Sequence, residues 1–470
     1  MTQTTEKTAI ELISANIAHA KFENLSEWNV QCTKDRLLDI CGCIIGGATA
    51  EGNKALAGII KDNGGKAEAP VFIHGGRAPL GDAAMINCIS ARSNDFGAMF
   101  ANLDGMRIPS HHSETTIPMA LTYSDVFNAS GKEFIIAELL GNDTANRVLA
   151  AAGQDFSHGW DGTMTLPMFG AVPIASRFMG LTPEQIKDAF GISINMIAGS
   201  IQCIYDYSIT FKFGQGFSAK NGTFAAQLAK AGWNGIEDAL LGGMAYYAIY
   251  RRTNDIKNPD ILTKDLGKKF FMEESFKRFP CGIPNSPFVV AGVEMNKKHG
   301  IKAADIESVE LGLSPNGIGM YYDKPFRVGR SPQVNGIFSF QYTAVSALLR
   351  GRLKVQDFAV EAVTDPEILE TIAKSTIVRD PELLGDNPKT LGMIRLRVTT
   401  KSGAVYENVQ NALMVTHQYP TKEELLSKFW DQVHAFGNVR DVEAQKLVEL
   451  IDRLEYIENM KEITELLMPI

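Results

Sequence analysis

The segment RLLDICGCIIGGATA, residues 36–50, is apolar around almost its whole circumference. A helix with that pattern is buried on every side, so the segment predicts the centre of a helical core. Two further segments, EFIIAELLGNDTANRVLAAAG (133–153) and GTFAAQLAKAG (222–232), are rich in Ala and Leu and end at glycine, where helices often stop. We therefore predict that residues 8–250 are mainly helical.

The pattern changes between about 266 and 405, where strands enter. Residues 308–314 alternate apolar and polar side chains, as a half-buried strand does, and residues 394–398 alternate in the same way. A turn at 401–403 allows the second strand to return as a hairpin. Segments with a helical pattern lie between the two strands. This part of the chain is therefore predicted to be an α+β module.

The helical period returns near the C-terminus, where Thr421 and Glu424 form a capping box. Apolar residues then recur on one face of a long helix in two pieces: Leu447, Leu450, Ile451, Leu454, Ile457, Met460, Ile463 and Leu467. Such a stripe has to be covered, and the N-terminal helices are its simplest partner. We predict a mainly α protein with an inserted α+β domain: a large helical domain from both chain ends (1–265 and 406–470) plus a smaller α+β lid domain (266–405).

Length and composition limit the class of protein. The 470 residues are 45% hydrophobic and 21% charged, which excludes a disordered chain and allows more than one hydrophobic core. The formal net charge of −8 argues against nucleic acid and anionic membranes as partners. The six cysteines are too few for a disulfide framework, the start lacks a signal peptide, and no apolar run is long enough to cross a membrane. We expect a cytoplasmic protein.

The densest polar cluster combines SNDF (93–96) with SHHSETT (110–116). Paired histidines beside an acid are either a base and its orienter, two metal ligands, or part of a polar loop that caps the next helix. Spacing alone leaves these alternatives open. Neither this run nor the cysteines have a convincing metal-ligand spacing, so we predict no bound metal.

Cations collect in loops of this acidic protein. FKRFPCG (276–282) carries two of them, and KPFRVGRSP (324–332) carries three, after a pair of tyrosines. KFGQG (212–216) looks like a phosphate loop but lacks the Gly-Lys-Ser/Thr ending and a preceding strand, which excludes nucleotide binding there. Guanidinium groups bind carboxylates in a bidentate way, so these loops favour a small carboxylate ligand; the alternative is exposed surface charge.

These motifs, in this order, resemble the MmgE/PrpD family over almost the full chain. Asp95-Phe96 is similar to the family's Asp-Phe-Asp-Asp motif, and His111-x-Ser113 with Pro118 is similar to its His-Pro-Ser…Pro motif. Each piece is weak, but their common order along most of the chain is specific. The other matching pieces are Arg36-Leu37-Leu38-Asp39, Cys41-Gly42-Cys43, Gly214-Gln215-Gly216, Ala219, Gly222, Phe276-Lys277-x-x-Pro280-Cys281, Phe326-Arg327-Val328 and Phe338-Ser339-x-Gln341-Tyr342.

The resemblance implies a helical domain from both termini, an α+β lid, a homodimer and a cofactor-free active site between the domains. The family's activities are dehydration, decarboxylation and epimerisation of small carboxylates. The resemblance also implies functional roles for Asp95, His111 and Lys277. His112 stands where the family has a proline, so it inherits no catalytic role and is expected only to line the site.

The chain departs from the family pattern at several site positions. Asp161 stands where the family has a histidine, and His158, three residues earlier, is the candidate substitute. Lys212 is offset by one position from the family's lysine, and the histidine that follows that lysine is absent. A further family histidine, after Cys281, is replaced by Gly282. The site is therefore expected to contain fewer imidazoles than the family pattern has.

Together these residues predict a cofactor-independent lyase that moves a proton at a carbon next to a carboxylate. His111 is the expected general acid or base, because histidine titrates near neutral pH, and Asp95 would orient it. Lys277 and an arginine would hold the substrate carboxylate. The expected catalytic residues are His111, Asp95, Lys277, His158 and Tyr322, and the expected substrate-binding residues are Lys212, Asp161, Arg327, Arg330, Cys281 and His112.

The first prediction for the reaction is dehydration of a hydroxy-polycarboxylate of the 2-methylcitrate type. Epimerisation or decarboxylation of a related dicarboxylate needs the same base and cations, so both stay open. A non-catalytic carboxylate-binding homologue is the third alternative, because several imidazoles are replaced.

Overall fold

The computed structural model describes residues 7–153, 159–253, 256–317, 321–384, 392–411 and 419–469. The helices are α1 (Ala9–His19), α2 (Glu27–Gly47), α3 (Asn53–Asn63), α4 (Leu80–Arg92), α5 (Ser113–Phe127), α6 (Gly131–Ala152), α7 (Gly162–Thr165), α8 (Met168–Phe178), α9 (Pro183–Ser193), α10 (Gln202–Tyr205), α11 (Phe213–Lys230), α12 (Tyr246–Tyr250), α13 (Ser286–His299), α14 (Pro332–Ile337), α15 (Phe340–Arg350), α16 (Val360–Val363), α17 (Pro366–Ala373), α18 (Lys422–Phe436), α19 (Asp441–Asp452) and α20 (Lys461–Thr464). The strands are β1 (Ala69–Pro70), β2 (Arg77–Ala78), β3 (Ala98–Leu103), β4 (Met106–Pro109), β5 (Glu273–Phe276), β6 (Ile306–Leu313), β7 (Ser375–Arg379), β8 (Met393–Thr400) and β9 (Val405–Asn411). The fold is mainly α with a smaller α+β part, as predicted from the sequence. None of the helices in these ranges is long and apolar enough to cross a bilayer.

The helical body forms around α2, whose residues from Leu37 to Gly47 are all buried. This helix packs against α4, α5 and α18, while α11 packs against α4, α8 and α9. Small residues permit these close approaches. A Cβ on Gly47 would lie 2.0 Å from the carbonyl oxygen of Ser90 on α4, so no larger residue fits there.

The C-terminal helices complete this body, because Leu447 and Ile463 belong to the same buried cluster as Ile44 on α2. The predicted apolar stripe is thus buried, but the prediction of a long helix in two pieces is wrong. α19 ends at Asp452, and the remainder lies in short helical turns. The Nζ atom of Lys34 donates to the carbonyl oxygen of Asp452 at 3.0 Å, which satisfies a carbonyl at the helix end from outside the helix.

The α+β part contains a sheet of strand order β7-β6-β8-β9. β6 and β7 are parallel, whereas β6–β8 and β8–β9 are antiparallel. The alternation predicted for β6 is present, since Val309, Leu311 and Leu313 are buried. These residues share a second hydrophobic core with Phe288 on α13 and Leu348 on α15. The alternating pattern therefore fixes which face of the sheet its helices cover.

A three-stranded antiparallel sheet of order β4-β3-β5 joins distant parts of the chain. β5 precedes the lid helices in sequence but pairs with β3 of the helical body, and β9 runs on to Asn411. The domain limits 1–265, 266–405 and 406–470 stay a proposal. The limit at 265 assigns β5 to the lid although it pairs with β3 of the helical body, and the limit at 405 falls at the first residue of β9.

Candidate active site

The three-stranded sheet brings three of the predicted site residues together. Asp95 lies in the loop before β3, His111 lies between β4 and α5, and Lys277 directly follows β5. The antiparallel pairing of β3 with β5 places Ala98 opposite Phe276. Motifs that are far apart in sequence therefore meet at one end of the paired strands, where β3 begins and β4 and β5 end.

Asp95 is the centre of a buried ion-pair cluster. Its Oδ2 lies 2.7 Å from the Nζ atom of Lys277, and its Oδ1 pairs with Arg92. The three side chains are at most 3% exposed. Burial alone favours the neutral carboxyl, but the charges of Lys277, Arg92 and His111 outweigh it and hold the pKa of Asp95 well below its usual range. Asp95 is therefore an anion throughout the neutral pH range.

The loop that carries His111 is held by a buried glutamate. The φ angle of His111 is 146°, a conformation that a non-glycine residue adopts only when its surroundings impose it. Glu273 on β5 accepts the backbone N–H groups of His111, His112 and Ser113 at 2.8, 2.7 and 2.9 Å, and the hydroxyl of Ser110 at 2.6 Å. This carboxylate also lies at the N-terminus of α5, where negative charge is favourable. Glu273 thus fixes the backbone on which the histidine stands.

The imidazole of His111 faces a second carboxylate. Its Nδ1 lies 3.2 Å from Oε2 of Glu114, and the two side chains are 5% and 0% exposed. Glu114 also lies 3.5 Å from Nε of Arg92, and its Oε1 accepts the N–H of Gly97 at 3.2 Å. Because His111 also lowers the pKa of Asp95, the ring stands within the electrostatic field of both acids.

His112 has a different environment from its neighbour. Its ring is fully buried, and neither ring nitrogen has a hydrogen-bond partner in the part of the chain that the structure describes. Nδ1 of His111 also lacks a hydrogen bond there, but that atom lies at ion-pair distance from Glu114. Burial lowers the pKa of His112 to about 4, so the ring is neutral at neutral pH. This placement favours packing over the substrate contact predicted from the sequence.

Asp161 keeps one carboxylate oxygen without a partner. Its Oδ1 accepts the N–H and the hydroxyl of Thr163 at 2.8 and 2.7 Å, which begins α7. Its Oδ2 is buried and has no hydrogen bond to any described residue. Burial raises the pKa of Asp161, although the nearby charges of Arg92 and His111 act in the opposite direction. A carboxyl whose pKa burial raises above that of a free aspartate, with one oxygen unpartnered, therefore lies near the charges of Arg92 and His111.

Lys212 is connected to the Asp95 loop indirectly, through Glu51 and through Gln333 of the lid. Its Nζ donates to the carbonyl oxygen of Glu51 at 2.6 Å, and burial lowers the pKa of Lys212 to about 7. Gln333 on α14 connects the two loops, because it accepts the N–H of Glu51 at 3.2 Å and donates to Oδ1 of Asn94 at 2.9 Å. Asn94 immediately precedes Asp95, so Lys212 borders the cluster without touching it.

Tyr322 is buried against Phe338 and Phe340, next to Gly282. A Cβ on Gly282 would lie 2.3 Å from the hydroxyl oxygen of Tyr322, so the phenol occupies the space that a side chain at position 282 would need. Cys281 is completely buried, and burial raises the pKa of its thiol far above the neutral range. The cysteine is therefore protonated and does not act as a nucleophile.

Two predicted arginines lie apart from this cluster. Arg327 and Arg330 are exposed and line a cavity of about 470 Å³ together with Asp206 and Tyr207. His158 lies outside the described residues. The roles of these three residues stay predictions.

Three buried charged residues of the site were given no role from the sequence: Arg92, Glu273 and Glu114, the last of which was noted only within the polar run 110–116. Arg92 stands three residues before Asp95 and Glu114 three after His111, which is the spacing of neighbours on a helical turn, so local spacing could have indicated both. Glu273 has no local signal, because only the pairing of β5 with β3 brings it to the histidine loop.

A cavity between the helical body and the lid adjoins the cluster. It measures about 470 Å³ and is lined by Phe96 and Lys428 on the body, by Val290 and Leu353 on the lid, and by Lys277 between them. Within the described ranges, no three His, Cys, Asp or Glu side chains are grouped so that they could hold a metal ion. The cavity has room for a small organic acid next to Lys277.

Comparison with known proteins confirms the resemblance. The MmgE/PrpD N-terminal domain matches residues 11–259 and the MmgE/PrpD C-terminal domain matches residues 279–454. The chain therefore belongs to the MmgE/PrpD family. It is similar to the cis-aconitate decarboxylase of Homo sapiens, with 23% identity over 98% of this chain and 95% of the relative, and to that of Mus musculus, with 22% identity over 83% and 79%. The cis-aconitate decarboxylase of Aspergillus terreus is 27% identical over 28% of each chain.

Proposed function

We propose that this protein is a lyase that moves a proton at a carbon next to a carboxylate of a small organic acid. The observation that carries the proposal is the position of His111 beside the buried cluster of Asp95, Arg92 and Lys277. Membership of the MmgE/PrpD family supports the same reaction class, because the similar proteins named above are carboxy-lyases by name.

His111 is the group that takes or returns the proton, and Lys277 holds the substrate carboxylate. Lys277 lines the cavity between body and lid, and its ammonium is buried beside Asp95, so an anion close to it is poorly screened by water. Negative charge that develops when a proton leaves the neighbouring carbon is stabilised by Lys277 and Arg92.

Dehydration is the first candidate because that reaction needs an acid as well as a base. A hydroxyl group leaves more readily when it receives a proton, and Asp161 combines an unpartnered oxygen with a pKa raised by burial. His111 would act as the base and Asp161 as the acid, a division that sites achieve by giving two groups different environments. The substrate proposed is a hydroxy-polycarboxylate of the 2-methylcitrate type.

Decarboxylation is the second candidate, and the names of the similar proteins favour it. Loss of carbon dioxide from an unsaturated polycarboxylate leaves negative charge on carbon, which a protonated group has to quench. His111 or Asp161 would supply that proton, and Lys277 would bind a remaining carboxylate. The same residues therefore serve either reaction with the order of steps changed.

We further propose a homodimer that acts without a cofactor in the cytoplasm. Phe213, Phe217 and Phe224 share one face of α11, and Phe217 and Phe224 are 40% and 51% exposed. Trp233, beyond the end of that helix, is 62% exposed. Clustered exposed aromatic side chains are typical of protein interfaces. Light scattering at micromolar concentration should give twice the mass of the chain; a monomer would contradict the proposal.

The test is incubation in heavy water with 2-methylcitrate, citrate and cis-aconitate, followed by proton NMR and by carbon dioxide release. An unsaturated product without carbon dioxide supports dehydration, and released carbon dioxide supports decarboxylation. Deuterium entering a substrate without net conversion indicates epimerisation. Binding of these acids without exchange or turnover contradicts the enzyme proposal and favours a carboxylate-binding homologue. Activity should persist after chelation and dialysis, and loss of activity together with a bound metal would contradict metal-free chemistry.

A further inference from the structure

The carboxylate of Glu114 connects three parts of the site. Its Oε2 lies at ion-pair distance from Nδ1 of His111 (3.2 Å) and from Nε of Arg92 (3.5 Å), without hydrogen-bond geometry to either. Its Oε1 accepts the N–H of Gly97 at 3.2 Å. The side chain is completely buried. Burying a carboxylate costs free energy. No step of the proposed reaction uses the Glu114 carboxylate, so some other role has to account for its position.

Gly97 provides the space for this carboxylate. A Cβ at position 97 would lie 2.7 Å from both Cγ and Oε1 of Glu114, closer than real Cβ atoms approach other atoms. Gly97 is not among the residues with positive φ, so the position does not need the backbone freedom of glycine. What it needs is the absence of a side chain.

We propose that Glu114 is a positioning residue that holds the His111 ring in the site and stabilises its charged form, and that Gly97 is required because it leaves room for the Glu114 carboxylate. The inference rests on the proposed role of His111. Glu114 acts through the ring and need not touch substrate. The carboxylate of Glu114, from the first turn of α5, thus occupies the space that a side chain at position 97 would fill.

Other charged or titratable groups around the ring also affect how readily it takes up a proton. They are Arg92, Asp95, Lys277, Asp161, Glu273 and the neighbouring His112. Asp95 is already paired with two cations, and burial raises the pKa of Asp161, which also hydrogen-bonds Thr163. Removing the Glu114 charge should therefore make the ring harder to protonate, even though Arg92 screens part of that charge.

The first experiment is a pH titration of the histidine Cε1–H signals by proton–carbon NMR, without substrate, in protein labelled at that carbon. Loss of one signal in His111→Gln identifies His111. Glu114→Gln keeps the shape of the side chain and removes its charge. We expect the His111 titration midpoint to fall by at least about one pH unit, the effect of losing an opposite charge at this range. An unchanged midpoint overturns the proposal.

A second variant tests the role of Gly97 and keeps every charge in place. In Gly97→Ala, the added Cβ should displace the carboxylate and lower the His111 midpoint in the same direction as Glu114→Gln. Gly81→Ala is the matched control, because a Cβ on Gly81 meets no atom closer than 3.6 Å. In a Glu114→Ala background, Gly97→Ala should have no further effect. A Gly97→Ala midpoint equal to that of Gly81→Ala overturns the proposed reason for the glycine.

These titrations need neither a substrate nor turnover, so their outcome is separate from that of the proposed function. Circular dichroism checks that each variant is folded, and Gly97→Ala remains informative if Glu114→Gln does not fold. Once a substrate is found, Glu114→Gln should lower kcat with KM little changed and move the acid limb of the pH profile together with the NMR midpoint. A pH profile identical to that of the wild type would contradict the positioning role.

Discussion

His111 and His112 are adjacent in sequence but differ in the properties on which acid–base chemistry depends. The ring of His111 stands beside Glu114 and near Asp95, whereas the ring of His112 is sealed and neutral because burial lowers its pKa to about 4. From the sequence, only the spacing to Pro118 favoured His111. The structure adds an independent physical reason for the same assignment.

His111→Ala should lower turnover by at least about 10²-fold, the usual lower range for loss of a general acid or base. His112→Ala should change turnover much less but lower the free energy of unfolding by roughly 2–4 kcal/mol, because a fully buried ring leaves a cavity. Steady-state kinetics and urea unfolding of both variants check this pair. An inactive His112→Ala beside a fully active His111→Ala would mean that the assignment is wrong by one residue.

Lys277→Met should lower the free energy of unfolding by about 3 kcal/mol, because removing one partner of a buried ion pair leaves the other charge under-compensated. Arg92 remains beside Asp95 and keeps the loss at the lower end of that range. Lys220→Met is the matched control, since Lys220 is 45% exposed and its pair with Asp82 is worth at most about 1 kcal/mol. Equal losses in urea unfolding would contradict a buried cluster.

Sequence reasoning selected Asp95, His111 and Lys277 because each stands in a short motif with recognisable neighbours, and the structure brings these three residues together. It did not identify Glu273, whose only connection to the histidine loop is the pairing of β5 with β3. It also placed Arg327 with the cluster, although that side chain lines a separate cavity. Local patterns carry information about local motifs, and contacts made only by tertiary pairing leave no such pattern.

At the scale of elements, the strands that position the site were harder to predict than those of the lid. β6 and β8 alternate cleanly because one face of their sheet is covered by helices, and both were predicted. β3, β4 and β5 are short, and they pair across distant parts of the chain. The C-terminal stripe was correctly predicted as buried but wrongly placed on a long helix, since apolar spacing does not record where a helix ends.

The junction of β5 with the N-terminus of α5 predicts a pH-dependent stability. Burial alone would raise the pKa of Glu273. The pKa is nevertheless lowered in the folded protein, because His112 in its protonated form at acid pH, the hydroxyls of Ser110 and Ser113, and Arg36 together outweigh burial. The ionised Glu273 therefore adds its full contribution to the free energy of unfolding above pH 4.5, the ordinary pKa of glutamate. That contribution is lost as the pH falls through the lower pKa of Glu273 in the folded protein. Glu273→Gln should lower the free energy of unfolding at pH 7 by about 2 kcal/mol, as expected for hydrogen bonds to a charged group.

Denaturant unfolding of wild type and Glu273→Gln at several pH values checks this prediction. The difference between the two proteins should shrink as the pH falls below the ordinary glutamate pKa of 4.5 and through the lower pKa of the folded protein, where the wild-type carboxylate binds a proton. A difference that stays constant down to the acid transition would mean that the charge of Glu273 does not anchor α5.

At the scale of the whole molecule, the helical body depends on contact between the two chain ends. The N–H of Gly131, at the start of α6, donates to the carbonyl oxygen of Ile457 at 2.8 Å, and the N–H of Met460 donates to the carbonyl oxygen of Ala129 at 2.9 Å. The buried apolar stripe begins within α19 and continues beyond it, and its residues belong to the same core as α2. The chain that leaves the helical body to form the lid thus returns to close that body.

This closure can be tested with two helical glycines whose surroundings differ: Gly131 at the start of α6 and Gly58 within α3. A Cβ on Gly131 would lie 1.7 Å from the carbonyl oxygen of Leu454, so Gly131→Ala has to push the C-terminal segment away and should cost about 2–3 kcal/mol, as overpacked sites do. Gly58 in α3 has no atom within 4 Å of the corresponding point, so Gly58→Ala should stabilise the protein by up to about 1 kcal/mol through helix propensity. Thermal unfolding measures both effects, and limited proteolysis should release residues 454–469 faster in Gly131→Ala alone. If both substitutions raise the melting temperature, the C-terminal segment does not pack on α6, and a helical body closed by both chain ends is the wrong description.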